Sequence, residues 1–365
     1  MRELAAEHAA QGEADRRLAQ PVVEAMADAG VFRTLIPERV GGLEVHPWQL
    51  VETVAELAEG DAAAGWVGAI AATSGLLLGY VTEDVAREVF PTPTTILGGV
   101  FAPRGRAVPE GDGFRVTGRW PFSSGCEHCD WLMGGAVVEG DPAPSLFLAP
   151  RGEVEILDTW HVSGLRATGS HDIAMDGVLV PAGRAASLFT DAPTAEGPLY
   201  RFPIFGLLAI AIAGVTLGIG RGALDDLAAL GAKVPNAGTR SLAERPTVQA
   251  EMGRAEGALR AARAGLREAI ERAWDAAAAA APGDRLGEAQ RLGLRLAATH
   301  ATTTAADVVT AAYRLGGGTA LYESSPLQRR LRDVNAATQH MLVAPATWEL
   351  GGRLLLGLPT DTSQL

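Results

Sequence analysis

Residues 113–125 read GFRVTGRWPFSSG. Phe114, Val116, Thr117, Trp120 and Phe122 crowd a short run that glycine opens and Ser-Ser-Gly closes. That is the composition of a strand leading into a turn. The neighbouring stretches repeat it: TTILGGVFA (94–102), DWLMGGAVVEG (130–140), PSLFLAP (144–150), VEILDTWHV (154–162) and HDIAMDGVLVP (171–181). Short strands at regular spacing, separated by Gly, Pro and Asp, predict a small antiparallel barrel or sandwich.

On either side the period changes from two to helical. Residues 14–30 and 47–60 repeat apolar side chains at three and four. Residues 61–80, DAAAGWVGAIAATSGLLLGY, are apolar nearly all round, as in a helix buried on most faces. After the strands, residues 207–232, 241–281, 285–315 and 325–356 predict the four helices of a bundle, with Pro282-Gly283 as one of its turns. The expected class is α+β, mostly α. It has an N-terminal helical domain (1–96), a central antiparallel β domain (97–196) and a C-terminal four-helix bundle (197–365). No βαβ alternation or P-loop is visible. The GxGxG at residues 218–222 lies inside a helical pattern with no strand before it, so it lacks the context of a dinucleotide fingerprint.

Composition narrows the function. The 365 residues are 47% hydrophobic and 20% charged, which fits a globular protein with a large core. A net charge of −12 argues against nucleic acid or an anionic membrane as partner. Two cysteines cannot build a disulfide framework, and the charged first twenty residues lack the apolar run of a signal peptide. A cytoplasmic location is therefore expected. Residues 202–220 are apolar, uncharged and near the lower length limit for a membrane span. Pro203, four glycines and the helical continuation point instead to a buried core helix.

Three stretches could carry chemistry. In GRWPFSSGCEHCDW (118–131), Ser123 and Ser124 end a strand where hydroxyls and backbone N–H groups can meet the edge of a heteroaromatic ligand. The plainer reading is a hairpin turn. Cys126, His128 and Cys129 are close in sequence, but no second ligand pair completes a zinc set, so no metal is expected. In TWHVSGLRATGSHD (159–172), Trp160, Arg166, Thr168 and Ser170 combine a stacking surface, a cation suited to phosphate or carboxylate, and hydroxyls. In SSPLQRRLRDVNAATQHM (324–341), Asp333 and His340 are seven apart, which puts them on one face of a helix beside Arg329, Arg330 and Arg332.

Taken together, these stretches and their order resemble the acyl-CoA dehydrogenase superfamily along nearly the whole chain. Within it the chain looks like the group D branch, the two-component, reduced-flavin-dependent monooxygenases. LGIGRGALDDL (217–227) resembles the opening of that family's C-terminal bundle, and TRSLAERPTVQAEMGRAEGALRAAR (239–263) its next helix. GRWPFSSG corresponds to the strand end beside the flavin ring, and GLRATGSHDIAMDGVLVP (164–181) to the following β segment. The last helix discriminates most. Dehydrogenases of the superfamily resemble RDAKIxxIYEGTSEIQ here, where the glutamate removes a proton α to a thioester. That position falls on Met341, and no YEG follows. The monooxygenase pattern RDxNAAxxH is matched by Arg332, Asp333, Asn335, Ala336, Ala337 and His340.

The resemblance implies an enzyme that hydroxylates or N-oxidises a small, aromatic or heteroaromatic molecule through a flavin C4a-hydroperoxide. It would receive reduced FMN or FAD by diffusion from a separate flavin reductase. A flavin-retaining dehydrogenase or oxidase, or a non-redox relative of the fold, remains the alternative. By resemblance His340 is the acid/base, with Ser123 and Ser124 near flavin N5. Phe122, Trp160, Arg166, Thr168 and Ser170 would line the ring. Arg240 would meet flavin phosphate, and Gly317, Ser325 and Arg332 lie where the bundle meets the cofactor. A homotetramer, a dimer of dimers, is implied as well. One departure stands out: many members of the branch carry a histidine soon after the GWV segment, where this chain has Thr73 and Ser74.

Overall fold

The computed structural model describes residues 1–188, 190–234, 240–281 and 283–365, with only the backbone of Pro142. Thr239 and Pro282, which the sequence reading used, lie outside the described residues.

The N-terminal third is helical: α1 (Arg2–Asp15), α2 (Gln20–Asp28), α3 (Pro47–Gly60), α4 (Ala62–Gly75) and α5 (Glu83–Val89). Asp61 starts α4 by accepting the Ala63 N–H at 3.4 Å, the usual work of a capping aspartate. Nearly all of α4 is buried, as its apolar surface requires.

The strands are β1 (Leu97–Glu110), β2 (Gly113–Ser123), β3 (Trp131–Val138), β4 (Asp141–Pro150), β5 (Glu155–Leu157), β6 (His171–Pro181) and β7 (Ala185–Ala186). They form one seven-stranded sheet in the order β5-β6-β2-β1-β3-β4-β7. Five of its described pairings are antiparallel, while β1 and β3 run parallel. The parallel pair arises because the chain leaves β2 at Ser123-Ser124 and crosses the end of β1 before β3 begins. Trp120 is fully buried, and its indole N–H donates to the Gly135 carbonyl at 2.7 Å. Gly105, Gly118 and Gly134 make room for that ring, since a Cβ on any of them would come within 2.7 Å of it.

The C-terminal part comprises α6 (Ile204–Ala229), α7 (Pro246–Ala279), α8 (Glu288–Gly316), α9 (Pro326–Ala337) and α10 (Ala346–Leu355). Two stretches, Ala62–Gly79 and Ile204–Ala229, are long and apolar enough to cross a membrane, yet their apolar windows are 94% and 78% buried inside this chain. The glycines of the GxGxG serve packing. A Cβ on Gly218 would sit 2.2 Å from the Ala55 carbonyl oxygen, so this glycine lets α6 lie directly on α3.

The fourth bundle helix differs from expectation. It is broken: α9 ends at Ala337, and α10 begins only after Pro345. Pro345 disfavours helical backbone at Ala344 and has no N–H to continue the ladder. His340 therefore lies in the turn between the two helices and does not stand two helical turns above Asp333.

Candidate active site

The functional side chains meet on a seam between two buried clusters. One joins α3, α4 and the bundle and contains Trp66 and Leu165. The other joins the sheet to α2 and α4 and contains Val67, Ala167 and Trp120.

The end of β2 is bent. Its pairing with β6 shifts register between Trp120 and Ser123, and Phe122 adopts a φ of 68°. That bend turns Phe122 outward, where it is 68% exposed, and turns Ser123 and Ser124 inward, where both are buried. Phe122 meets Trp160 edge-on, with ring centroids 6.1 Å apart. The loop 158–170 comes alongside, and Gly125 N–H donates to the Thr168 carbonyl at 2.7 Å.

A file of hydroxyls links these pieces. The Trp66 indole N–H donates to Ser124 Oγ at 3.0 Å. Ser124 Oγ lies 2.7 Å from Ser170 Oγ, and Ser170 Oγ lies 2.6 Å from Thr168 Oγ1. Thr168 Oγ1 donates to the Leu165 carbonyl at 2.8 Å, and the Trp160 indole N–H donates to the same carbonyl at 3.0 Å. Leu165 itself stands at φ 52°, a strained value for leucine. Its N–H donates to Asp333 Oδ1 at 2.7 Å, which holds the loop to α9.

Two titratable groups flank this file. Burial pushes the Asp333 carboxyl up to about 7, against the Leu165 hydrogen bond that favours the carboxylate. His340 packs edge-on against Trp66, with centroids 5.9 Å apart. Burial, helped by the Arg295 cation, lowers its imidazole to about 4, so the ring is neutral near pH 7. Leu342 N–H donates to His340 Nδ1 at 3.3 Å, which assigns the ring proton to Nε2. Nε2 is then a hydrogen-bond donor.

The other residues singled out in the sequence divide. Arg166 is half-buried, with an Nε that finds no partner, and Ser123 Oγ is likewise buried and unpartnered. Arg332 is committed to the loop and to α1: it donates to the Ser163 carbonyl at 2.6 Å and pairs with Glu13 at 2.5 Å. Its guanidinium therefore braces the site. Arg240 is exposed before α7, and Gly317 caps α8 at φ 57°. Ser325 N–H donates to the Tyr322 carbonyl. None of these three is hydrogen-bonded to the hydroxyl file among the described residues. Thr73 and Ser74 return their hydroxyls to their own helix, on the carbonyls of Ala69 and Ile70. Burial raises both thiols, Cys126 to about 12, so neither is a ready nucleophile.

Sequence reasoning missed Leu165, the anchoring role of Asp333, and His171. His171 Nδ1 accepts both the Thr159 and Trp160 N–H groups at 3.2 Å, fixing the start of the Trp160 loop. Asp333 carried a signal: with Arg330 it interrupts the apolar face Leu327–Val334–Ala337 of α9. Leu165 carried none. Two surface recesses lie elsewhere, one of about 480 Å³ near Arg106 and Glu139 and one of about 250 Å³ between α3, α6 and α7. Neither includes a residue of the hydroxyl file, and the convergence of aromatic and polar groups is the better guide to the site.

Two family models cover most of the chain. The acyl-CoA dehydrogenase N-terminal domain matches residues 1–94, and the acyl-CoA dehydrogenase C-terminal domain matches residues 210–345. Indole-3-acetate monooxygenase of Pseudomonas putida is 35% identical over 354 residues, 95% of this chain and 90% of that protein. This chain belongs to the acyl-CoA dehydrogenase family. Its relatives in the family include monooxygenases. The FADH(2)-dependent resorcinol hydroxylase, oxygenase component, of Rhizobium sp. is 30% identical, covering 96% of this chain and 90% of that one. The crystal structure of 3-HSA hydroxylase from Rhodococcus sp. RHA1 superposes with a TM-score of 0.92 at 26% identity, over 99% of this chain and 96% of that one. By the resemblance, the position of the dehydrogenase base falls on Met341. It is 58% exposed, and a thioether cannot remove an α-proton.

The residues present fit a flavin. An exposed phenyl ring beside Trp160 offers an aromatic wall, and the unpartnered Ser123 Oγ and Arg166 Nε are polar atoms without a protein partner on the adjoining backbone. A ligand with polar edges would satisfy such atoms.

Proposed function

We propose that this protein is the oxygenase component of a two-component flavin-dependent monooxygenase. It takes reduced FMN or FAD from a separate reductase and hydroxylates or N-oxidises a small aromatic or heteroaromatic molecule. The observation that carries this reading is the placement of His340 on Trp66 beside the Ser124 file.

Bound reduced flavin supplies the activation of O2 that no side chain here can provide. The chain's own residues do the rest. Phe122 and Trp160 offer the flat wall, and Ser123 and Ser124 offer the polar edge. Trp66, Leu165 and the buried strand end keep water from the reacting centre. His340 holds its proton at Nε2 and donates it as a hydrogen bond to an oxygen at the reacting centre. Taking up a proton at Nδ1 would cost the Leu342 bond. Arg240, exposed and arginine rather than lysine, suits a flavin phosphate supplied across a subunit boundary in a homotetramer. A cytoplasmic location goes with the two reduced, buried cysteines.

The test supplies photoreduced FMN and FAD without any reductase, in air, with indole-3-acetate and resorcinol as first substrates, and quantifies hydroxylated product and hydrogen peroxide. Product from the wild-type protein is expected. His340→Ala should keep its circular dichroism but lose about 100-fold in product, with peroxide rising, as expected for loss of a positioned hydrogen-bond donor. Undiminished product from His340→Ala would remove that residue from the mechanism.

A further inference from the structure

The hydroxyl file has a direction. A carbonyl oxygen only accepts, so the contact between Thr168 Oγ1 and the Leu165 carbonyl consumes the Thr168 proton. The 2.6 Å contact between Thr168 and Ser170 then needs the Ser170 proton. The 2.7 Å contact between Ser170 and Ser124 in turn needs the Ser124 proton. At the far end the Trp66 N–H can only donate, and it occupies one lone pair of Ser124 Oγ. All protons are thereby assigned. What Ser124 retains for a ligand is one lone pair.

The direction is held from behind. The Leu165 carbonyl cannot swing away, because the Trp160 N–H binds it from the other side and Asp333 grips the same residue's N–H. Thr168 and Ser170 are themselves buried.

We propose that Thr168 is a positioning residue that sets which redox state of the flavin this site prefers. By spending its proton on Leu165 it leaves Ser124 an acceptor. An acceptor matches a ring edge that presents an N–H, as reduced flavin does at N5, and repels one that presents a lone pair, as oxidised flavin does there. This rests on the monooxygenase reading, in which Ser124 faces the flavin.

The experiment is an anaerobic titration of the full chain with oxidised and with reduced FMN and FAD, giving the ratio of the two dissociation constants. Thr168→Val removes the terminal donor and frees Ser170 and Ser124 to reorient. Thr168→Ser keeps the donor. Ser170→Ala breaks the file one link later and serves as a second variant should Thr168→Val fold poorly. The wild type is expected to favour the reduced form. Thr168→Val and Ser170→Ala should cut that preference about tenfold, the worth of one hydrogen bond of this kind, while Thr168→Ser keeps it. An unchanged ratio in folded Thr168→Val or Ser170→Ala overturns the inference alone, as does a Thr168→Ser ratio that falls equally. A wild-type protein that binds neither form of either flavin overturns the monooxygenase reading and the inference with it.

Discussion

Asp333 and His340 show how far one residue's surroundings reset its chemistry. Burial disfavours the Asp333 charge and lifts its carboxyl above the ordinary range, to about 7. Between its unfolded value and about 7 the folded state binds the extra proton, so this group's contribution to stability falls as pH rises and levels off above 7. Asp333→Asn removes that dependence and keeps an acceptor for Leu165. From pH 6 to pH 8 the wild type should therefore lose about 1 kcal/mol relative to Asp333→Asn, read by urea denaturation at both pH values. Parallel curves would mean that the carboxyl is ionised throughout. The comparison is with the variant because His340 acts oppositely: held neutral in the fold down to about 4, it destabilises as pH falls through its unfolded value. His340 also gives a sharper test of its own role. His340→Gln keeps an N–H donor and has no titrating base. It should retain several-fold more coupling of flavin to product than His340→Ala; equal loss in both would point to a base.

At the scale of elements, α9 is fastened to the rest of the molecule by charge as well as by packing. Arg330 is buried, pairs with Asp226 of α6, and donates to the Ala58 and Glu59 carbonyls of α3 at 3.3 and 2.8 Å. Removing one partner of such a pair leaves an uncompensated charge. Arg330→Ala should cost on the order of 3 kcal/mol in chemical denaturation, and adding Asp226→Ala should recover part of it. A loss below about 1 kcal/mol would make the pair peripheral. The elements themselves were largely legible. The change of period near residue 97 marks the strands, because alternation and helical spacing cannot be satisfied by one backbone. The parallel pairing of β1 and β3 was not legible, since the strands' own residues are indifferent to it and the chain's path over the end of β1 decides it. The break between α9 and α10 was half-legible. Pro345 announces a helix start, but the apolar spacing runs on through Met341 to Val343 and hides the stop. The Ser-Ser-Gly strand end and the loop hydroxyls could be named from sequence. Their common partner Leu165 could not, because its φ of 52° is imposed by the contacts it makes.

At the scale of the whole molecule, the site occupies the seam where the sheet, α4 and α9 meet. The N-terminal part, the β part and the bundle each contribute side chains to it: Trp66 from the first, Ser124, Trp160, Thr168 and Ser170 from the second, Asp333 and His340 from the third. That shared ownership explains why spacing within any one stretch says little about function and why the order of the stretches says much. In the proposed reaction this assembly places one oxygen atom from O2 into an aromatic molecule. The most direct measurement is turnover of indole-3-acetate or resorcinol with photoreduced flavin under ¹⁸O₂ in ordinary water, with mass spectrometry of the product. One heavy oxygen atom is expected in each hydroxylated product molecule. Product whose new oxygen comes from water, or flavin reoxidation that yields only labelled peroxide with every aromatic substrate and either flavin, would contradict it.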